Sequence, residues 1–288
     1  MSETAFKAMP IFGDKDYQQK ACKALPILIR QARSRKPIFY EHLADELGIK
    51  NARTLNWPLG SIGATIDALA SERRWTFPPP PHLQSLVINQ RDKMPGSGFE
   101  AFLASRVPNY GELTKPQKRE YLDGYWNDIF AYAFWDDVLD ALNLPRATSG
   151  AQSILDRAKS GRGAGGGEGA EHAALKERIR QNPNMVGLAR TTTPGLSEAP
   201  LPSGDKIDVL FTLRDRLYAV EVKSRISNDA DITRGLFQCV KYKAVMEAER
   251  GFLSRNYRVD AILALGRPFP SALEALRNSL GVTVIVIE

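Results

Sequence analysis

Between Gly161 and Gly169 six of nine residues are glycine. Such a run has maximal backbone freedom and few side chains to pack, so neither a helix nor a strand is stable across it. One core running through the whole chain is thereby excluded. We assign a domain to residues 1–145, a Gly-rich linker to 146–167 and a second domain to 168–288. The run is not a phosphate-cradling loop, because no Gly-Lys-Ser/Thr follows it and no strand precedes it. Each part has enough apolar surface to fold: 43% of the 288 residues are hydrophobic and 25% are charged, the balance of a folded protein.

The net charge of +6 is divided almost evenly, +2 before residue 150 and +4 after it. This leans toward a polyanionic partner without marking a basic tail. Cys22 and Cys239 are the only cysteines. Two that far apart make no metal-ligand spacing and no disulfide scaffold, as in a reducing compartment. No apolar run reaches the ~20 residues of a membrane helix, and the first residues, MSETAFKAMPIFGDKD, lack a signal peptide's apolar region. The expectation is a cytoplasmic protein with no membrane partner.

The N-terminal part reads as mostly helical. Ala21, Leu25, Leu28 and Ile29 form a core-facing stripe in a helix over 17–33, with Pro26 as a candidate kink. Helices are expected at 39–47 and at 58–72, where Leu59, Ile62, Ile66 and Leu69 recur at helical spacing. Residues 83–89 alternate as a strand and 90–98 are turn-rich. Three helices, a strand and a turn-rich loop suggest a winged helix-turn-helix able to bind DNA. Lys50, Arg53, Arg73, Arg74, Arg91 and Lys93 would then reach phosphates. The competing reading is a small helical domain with solvated charges that contacts proteins. An aromatic-rich helix over 115–142 (Trp126, Phe130, Phe134, Trp135) is expected to bridge the domains or form a dimer face, its rings serving as core rather than a stacking platform. His42 and His82 read as structural or surface histidines.

The C-terminal part carries the chemistry. Its elements read as a helix at 168–181, strands at 206–213 and 217–223, a helix at 231–249, a strand at 258–265, a helix at 270–280 and a strand at 282–287. The order is αββαβαβ, an α/β sandwich, so the chain as a whole is α+β. Alternation places Ile207, Val209 and Phe211 on one face and Asp208 on the other, while Glu221 and Lys223 share a face. A hairpin of these strands would bring Asp208, Glu221 and Lys223 together. Charges within apolar strands are costly to bury unless paired or metal-bound. Two adjacent carboxylates suit a hard divalent cation, and a lysine beside them can hold or activate the water that attacks a phosphodiester.

Asp208, twelve residues, then Glu221-x-Lys223, on adjacent strands, resembles the PD-(D/E)XK nuclease superfamily across about 120 residues. Ile207 replaces the proline of that pattern. The resemblance implies a restriction-endonuclease-like fold with Mg²⁺, for which Mn²⁺ can substitute, held by Asp208, Glu221 and an acid of the first helix. Glu171 is the best match for that acid and Glu168 the second. His172, in G-A-E-H-A-A-L, looks like the helix signature of RecB-like members and ranks below Glu171. Gln238 and Tyr242 resemble the Gln-x-x-x-Tyr motif of RecB-like and phage exonucleases, with Gln238 beside the scissile strand. Arg234, Lys241 and Lys243 would add phosphate contacts. The expected function is a metal-dependent DNA endonuclease, in restriction and phage defence or in recombination and repair, with catalytic Glu171, Asp208, Glu221, Lys223 and Gln238. One site per chain implies a homodimer for double-strand cutting. The alternatives are a non-catalytic DNA- or protein-binding module that keeps the fold, and an RNA-cleaving enzyme.

Overall fold

The computed structural model describes residues 8–72, 74–148, 169–190 and 192–287. Arg73, Glu168 and all of the linker except 146–148 lie outside them. The chain divides into two compact units, 1–149 and 150–288. Among the described residues it is α+β: nine α-helices, a five-stranded mixed sheet and a two-stranded parallel sheet. Among them, no helix is long and apolar enough to cross a membrane.

In the first unit, α1 (Asp16–Ser34) runs unbroken through Pro26 and buries Ala21, Ala24, Leu25, Leu28 and Ile29. It stops at Arg35 in the left-handed region, φ 54°. α2 (Tyr40–Glu46) and α3 (Asn56–Ala70) follow, with Gly48 at φ 67° ending the turn between them. The strand expected at 83–89 is instead a 3₁₀ turn, Leu83–Leu86, and a two-residue strand β2 (Val87–Ile88) parallel to β1 (Ile38–Phe39). Residues 83 to 88 are all buried, Gln84 and Ser85 included, so no face of this segment meets solvent and alternation is a false guide here. The turn-rich loop closes as a small hairpin, with Ile88 bridging Pro95.

A helix not foreseen, α4 (Ser97–Arg106), comes next. The single helix expected over 115–142 is two, α5 (Lys115–Ala131) and α6 (Trp135–Ala141). Side chains take over the hydrogen bonds at the break. The Trp135 indole donates to the Ile129 carbonyl at 3.0 Å, and the Tyr132 hydroxyl donates to Pro78 at 2.8 Å. Trp126 and Trp135 are buried within this unit's own core. His42 packs edge-on against Phe39. His82 is buried and has partners: Gln84 and Arg106 at 3.1 Å and Asp67 at 3.3 Å.

In the second unit the sheet order follows the chain: β3 (Leu196–Pro200), β4 (Lys206–Leu213), β5 (Arg216–Lys223), β6 (Arg258–Leu265) and β7 (Thr283–Val286). The first three are antiparallel, and β5, β6 and β7 are parallel. α7 (Ala170–Gln181) precedes the sheet, α8 (Asp229–Phe252) joins β5 to β6, and α9 (Glu274–Leu280) joins β6 to β7. β3 corrects the expected order to αβββαβαβ. Its text, LSEAP, has no apolar alternation and includes a proline, as edge strands tolerate. One face of the sheet (Val209, Phe211, Val220, Val222, Ile262, Ala264) packs on Ile179 of α7. On the other face, Leu263 and Leu265 meet Leu236 and Cys239 of α8, and Ala219 meets Tyr242.

Candidate active site

The ladder between β4 and β5 ends at the pair Val209–Val220. Beyond it the strands part, and the freed Val222 N–H donates to Asp208 Oδ2 at 2.8 Å. Asp208 is therefore fixed by the backbone it faces, and its second oxygen lies 3.6 Å from His172 Nε2. The same irregularity turns β4 over. Ile207 packs with Ala219, Tyr242 and Met246, whereas Val209 and Phe211 pack with Ile179. The expectation that these three share a face is thus wrong. Across the sheet, Glu198 of β3 adopts φ 54°, a left-handed conformation that costs a non-glycine residue roughly 1 kcal/mol.

Glu221 and Lys223 lie on the α8 face of β5. Glu221 is 2% exposed, and its two oxygens are held separately. Lys223 Nζ donates to Oε1 at 2.6 Å, and the Tyr242 hydroxyl lies 2.9 Å from Oε2 and 3.0 Å from the Lys206 carbonyl. Burial, then the charge of Asp208, push the Glu221 carboxyl above its ordinary pKa, against Lys223 and Tyr242. Tyr242 is raised as well, by burial first and then by Glu221. Lys223 also lies 3.4 Å from Gln238 Oε1, so Gln238 and Tyr242, four apart on α8, both reach this cluster. Gly235 lets the lysine lie along the helix: a Cβ there would stand 3.2 Å from Lys223 Cε and 2.8 Å from Leu263 Cδ1.

These residues line an open cleft of about 870 Å³ with His172, Glu198, Lys206, Ile226, Asp231, Arg234, Phe237 and Lys241. Asp208, Glu221, Lys223 and Gln238 are thus brought together. Glu171 is not: it is half exposed, lies outside the cleft lining, and its carboxylate is 3.8 Å from Arg225. One residue of helix rotation puts His172 in the cleft instead. Sequence reasoning misses several residues that line the cleft, among them Glu198, on the strand that carries no alternation, Lys206, Ile226, Asp231 and Phe237. Of the expected phosphate contacts, Arg234 pairs with Asp231 and Lys241 with Asp205 at 2.7 Å, and Lys243 does not line the cleft. In the first unit, Lys50, Arg53, Arg74, Arg91 and Lys93 are exposed.

Among the described residues no group of three or more His, Cys, Asp or Glu side chains is arranged to hold a metal ion. What the cleft offers a cation is the pair Asp208 and Glu221. Comparison with protein-family models, with curated proteins and with solved structures finds no match.

Proposed function

We propose that the second unit is a metal-dependent nuclease of the PD-(D/E)XK type that hydrolyses DNA phosphodiester bonds. The observation that carries this is the convergence of Asp208, Glu221 and Lys223 on one open cleft, with Gln238 and Tyr242 reaching the cluster from α8. The donor set fits a hard cation: two carboxylates close enough that the charge of one raises the proton affinity of the other. Mg²⁺ is commonly held by one or two carboxylates, with water and phosphate oxygens completing the shell, so Asp208 and Glu221 suffice without Glu171. When bound, the ion supplies positive charge where phosphate charge builds up during hydrolysis.

In this reading Val222 N–H and Tyr242 orient the two carboxylates. Lys223 orients the water that attacks phosphorus as the bond to the leaving sugar oxygen breaks. Gln238 holds the lysine and faces the scissile strand. The first unit, winged-helix-like in element order, serves as the DNA reader through its exposed cations.

Nicking of supercoiled plasmid with Mg²⁺ tests the assignment. Lys223→Ala should slow nicking by about 10²-fold or more, and EDTA should abolish it in the wild type. Equal rates for the wild type and Lys223→Ala would overturn the site, and nicking that survives EDTA would overturn the metal.

A further inference from the structure

The cleft-facing stripe of α8 is Arg234, Phe237, Gln238 and Lys241, at i, i+3, i+4 and i+7. Its second member is out of place for a wall that meets only water or sugar-phosphate. Phe237 is 46% exposed, and Ile226, in the turn between β5 and α8, is 69% exposed; both line the cleft. Exposed apolar side chains rimmed by charge mark an interaction surface. Among the charged residues of the cleft, the cations that flank Phe237 on α8 are Arg234 one turn before it and Lys241 one turn after it. Each is more than half exposed and pairs with a partly exposed aspartate, Arg234 with Asp231 and Lys241 with Asp205. Such exposed pairs are weak and yield readily to a phosphate.

A duplex offers this wall little, because its base faces are hidden in the stack and only its phosphates reach the cations. An unpaired strand offers both: phosphates at 3′ and 5′ positions, and a base face between them. Alternation of cation, aromatic ring and cation along a groove is the arrangement that grips single strands, since every base has a π-face.

We propose that the cleft takes an unpaired DNA strand, with a base beside the scissile phosphate packed on Phe237 and Ile226 and the flanking phosphates on Arg234 and Lys241. This narrows the substrate of the nuclease reading above and rests on it. Double-stranded DNA would then be cut at frayed ends, flaps or locally melted sites.

The test measures binding apart from cleavage. Full-length Lys223→Ala protein in Mg²⁺ is titrated into a fluorescently labelled 20-nucleotide single strand and into the blunt duplex of the same sequence. The single strand should bind about 10-fold or more tightly. Adding Phe237→Ala should weaken single-strand binding by about 5- to 100-fold and leave duplex binding within about twofold, while Phe237→Trp retains the preference. Phe237 is exposed, so the substitution spares the core. Ile226→Ala should give a smaller loss in the same direction. Equal affinity for strand and duplex, or single-strand binding indifferent to Phe237→Ala, would overturn the proposal. So would a self-association that Phe237→Ala abolishes, because the apolar pair would then belong to a protein interface. Failure of the nicking test bears on the nuclease reading alone, since strand preference is scored without cleavage.

Discussion

Tyr242 sets a buried phenol against the buried carboxylate of Glu221, and a double-mutant cycle isolates that contact. Tyr242→Phe keeps the ring, which is 2% exposed, and removes only the hydroxyl that reaches Glu221 Oε2 at 2.9 Å. A hydrogen bond to a charged group contributes about 1.5–3 kcal/mol, and leaving a buried acceptor short of a donor adds a desolvation cost. Tyr242→Phe should therefore destabilise the second unit by about 2 kcal/mol. In a Glu221→Ala background the carboxylate is gone and the phenol retains only the Lys206 carbonyl at 3.0 Å. There the same substitution should cost about 1 kcal/mol, the value of an ordinary hydrogen bond. The coupling is thus about 1 kcal/mol, well above the ~0.3–0.5 kcal/mol within which independent sites add. The assay is urea unfolding followed by far-UV circular dichroism. Tryptophan fluorescence is unsuitable, because Trp57, Trp75, Trp126 and Trp135 all belong to the first unit. Additivity within 0.5 kcal/mol would refute the view that Tyr242, beside Lys223, helps to hold Glu221 in place.

His82 makes the first unit acid-sensitive. Burial, outweighing the attraction of Asp67, lowers its imidazole to about 4 from about 6.5 in the unfolded chain. As pH falls below 6.5 the unfolded state takes up a proton that the folded state refuses. Stability present above 6.5 is therefore lost progressively toward pH 4, about 2 kcal/mol of it between pH 7 and 5. Urea unfolding read by tryptophan fluorescence should show this slope, and His82→Asn should flatten it; an unchanged slope would refute the assignment. Gly195→Ala should destabilise the second unit by about 1–3 kcal/mol, because the new Cβ would lie 3.0 Å from Phe211 Cε1 and closer still to Val209 Cγ1, both in fully buried side chains. Circular dichroism melts would check this, with a wild-type midpoint as the refuting result. On the nuclease reading proposed above, Gly235→Ala separates catalysis from stability. Its helix-propensity gain of about 1 kcal/mol offsets the crowding of Leu263, yet it displaces Lys223, so plasmid nicking should fall at least 10-fold with little change in unfolding midpoint.

What was legible in the sequence follows from how locally each feature is determined. β4 and β6 have the bounds that their text implies, 206–213 and 258–265, because long apolar strands covered on both faces declare themselves residue by residue. β3 is an edge strand whose pairing with β4 costs no apolar pattern, so LSEAP reads as loop. α4 hides behind the PGSG at its start, which reads as turn although Gly96 is the N-cap and Ser97 and Gly98 are already helical. The break between α5 and α6 depends on the Trp135 indole reaching the Ile129 carbonyl, a contact that no propensity encodes. β4 turns over at Asp208 for a similar reason, since the irregularity is made jointly with β5 and with Glu198 of β3.

The helix residue beside the carboxylates is a different case, because the information was present in the chain. Glu171 and His172 are separated by 100° of helix rotation, and only the phase of α7 decides between them. Ile179 is the one fully buried apolar residue of that helix, and it packs on the sheet. A residue seven before it stands on the same stripe, and counting back from Ile179 gives His172. Lys176 falls between them on that stripe; it is also buried and reaches Glu198 at 2.5 Å. Glu171 lies to the side, toward Arg225. Matching by residue type favoured the acid, whereas the apolar phase of the helix favours the histidine. Helix phase is the stronger guide because sheet burial fixes α7 as a rigid body, and a side chain 100° off the buried stripe cannot be turned into the cleft without unburying Ile179.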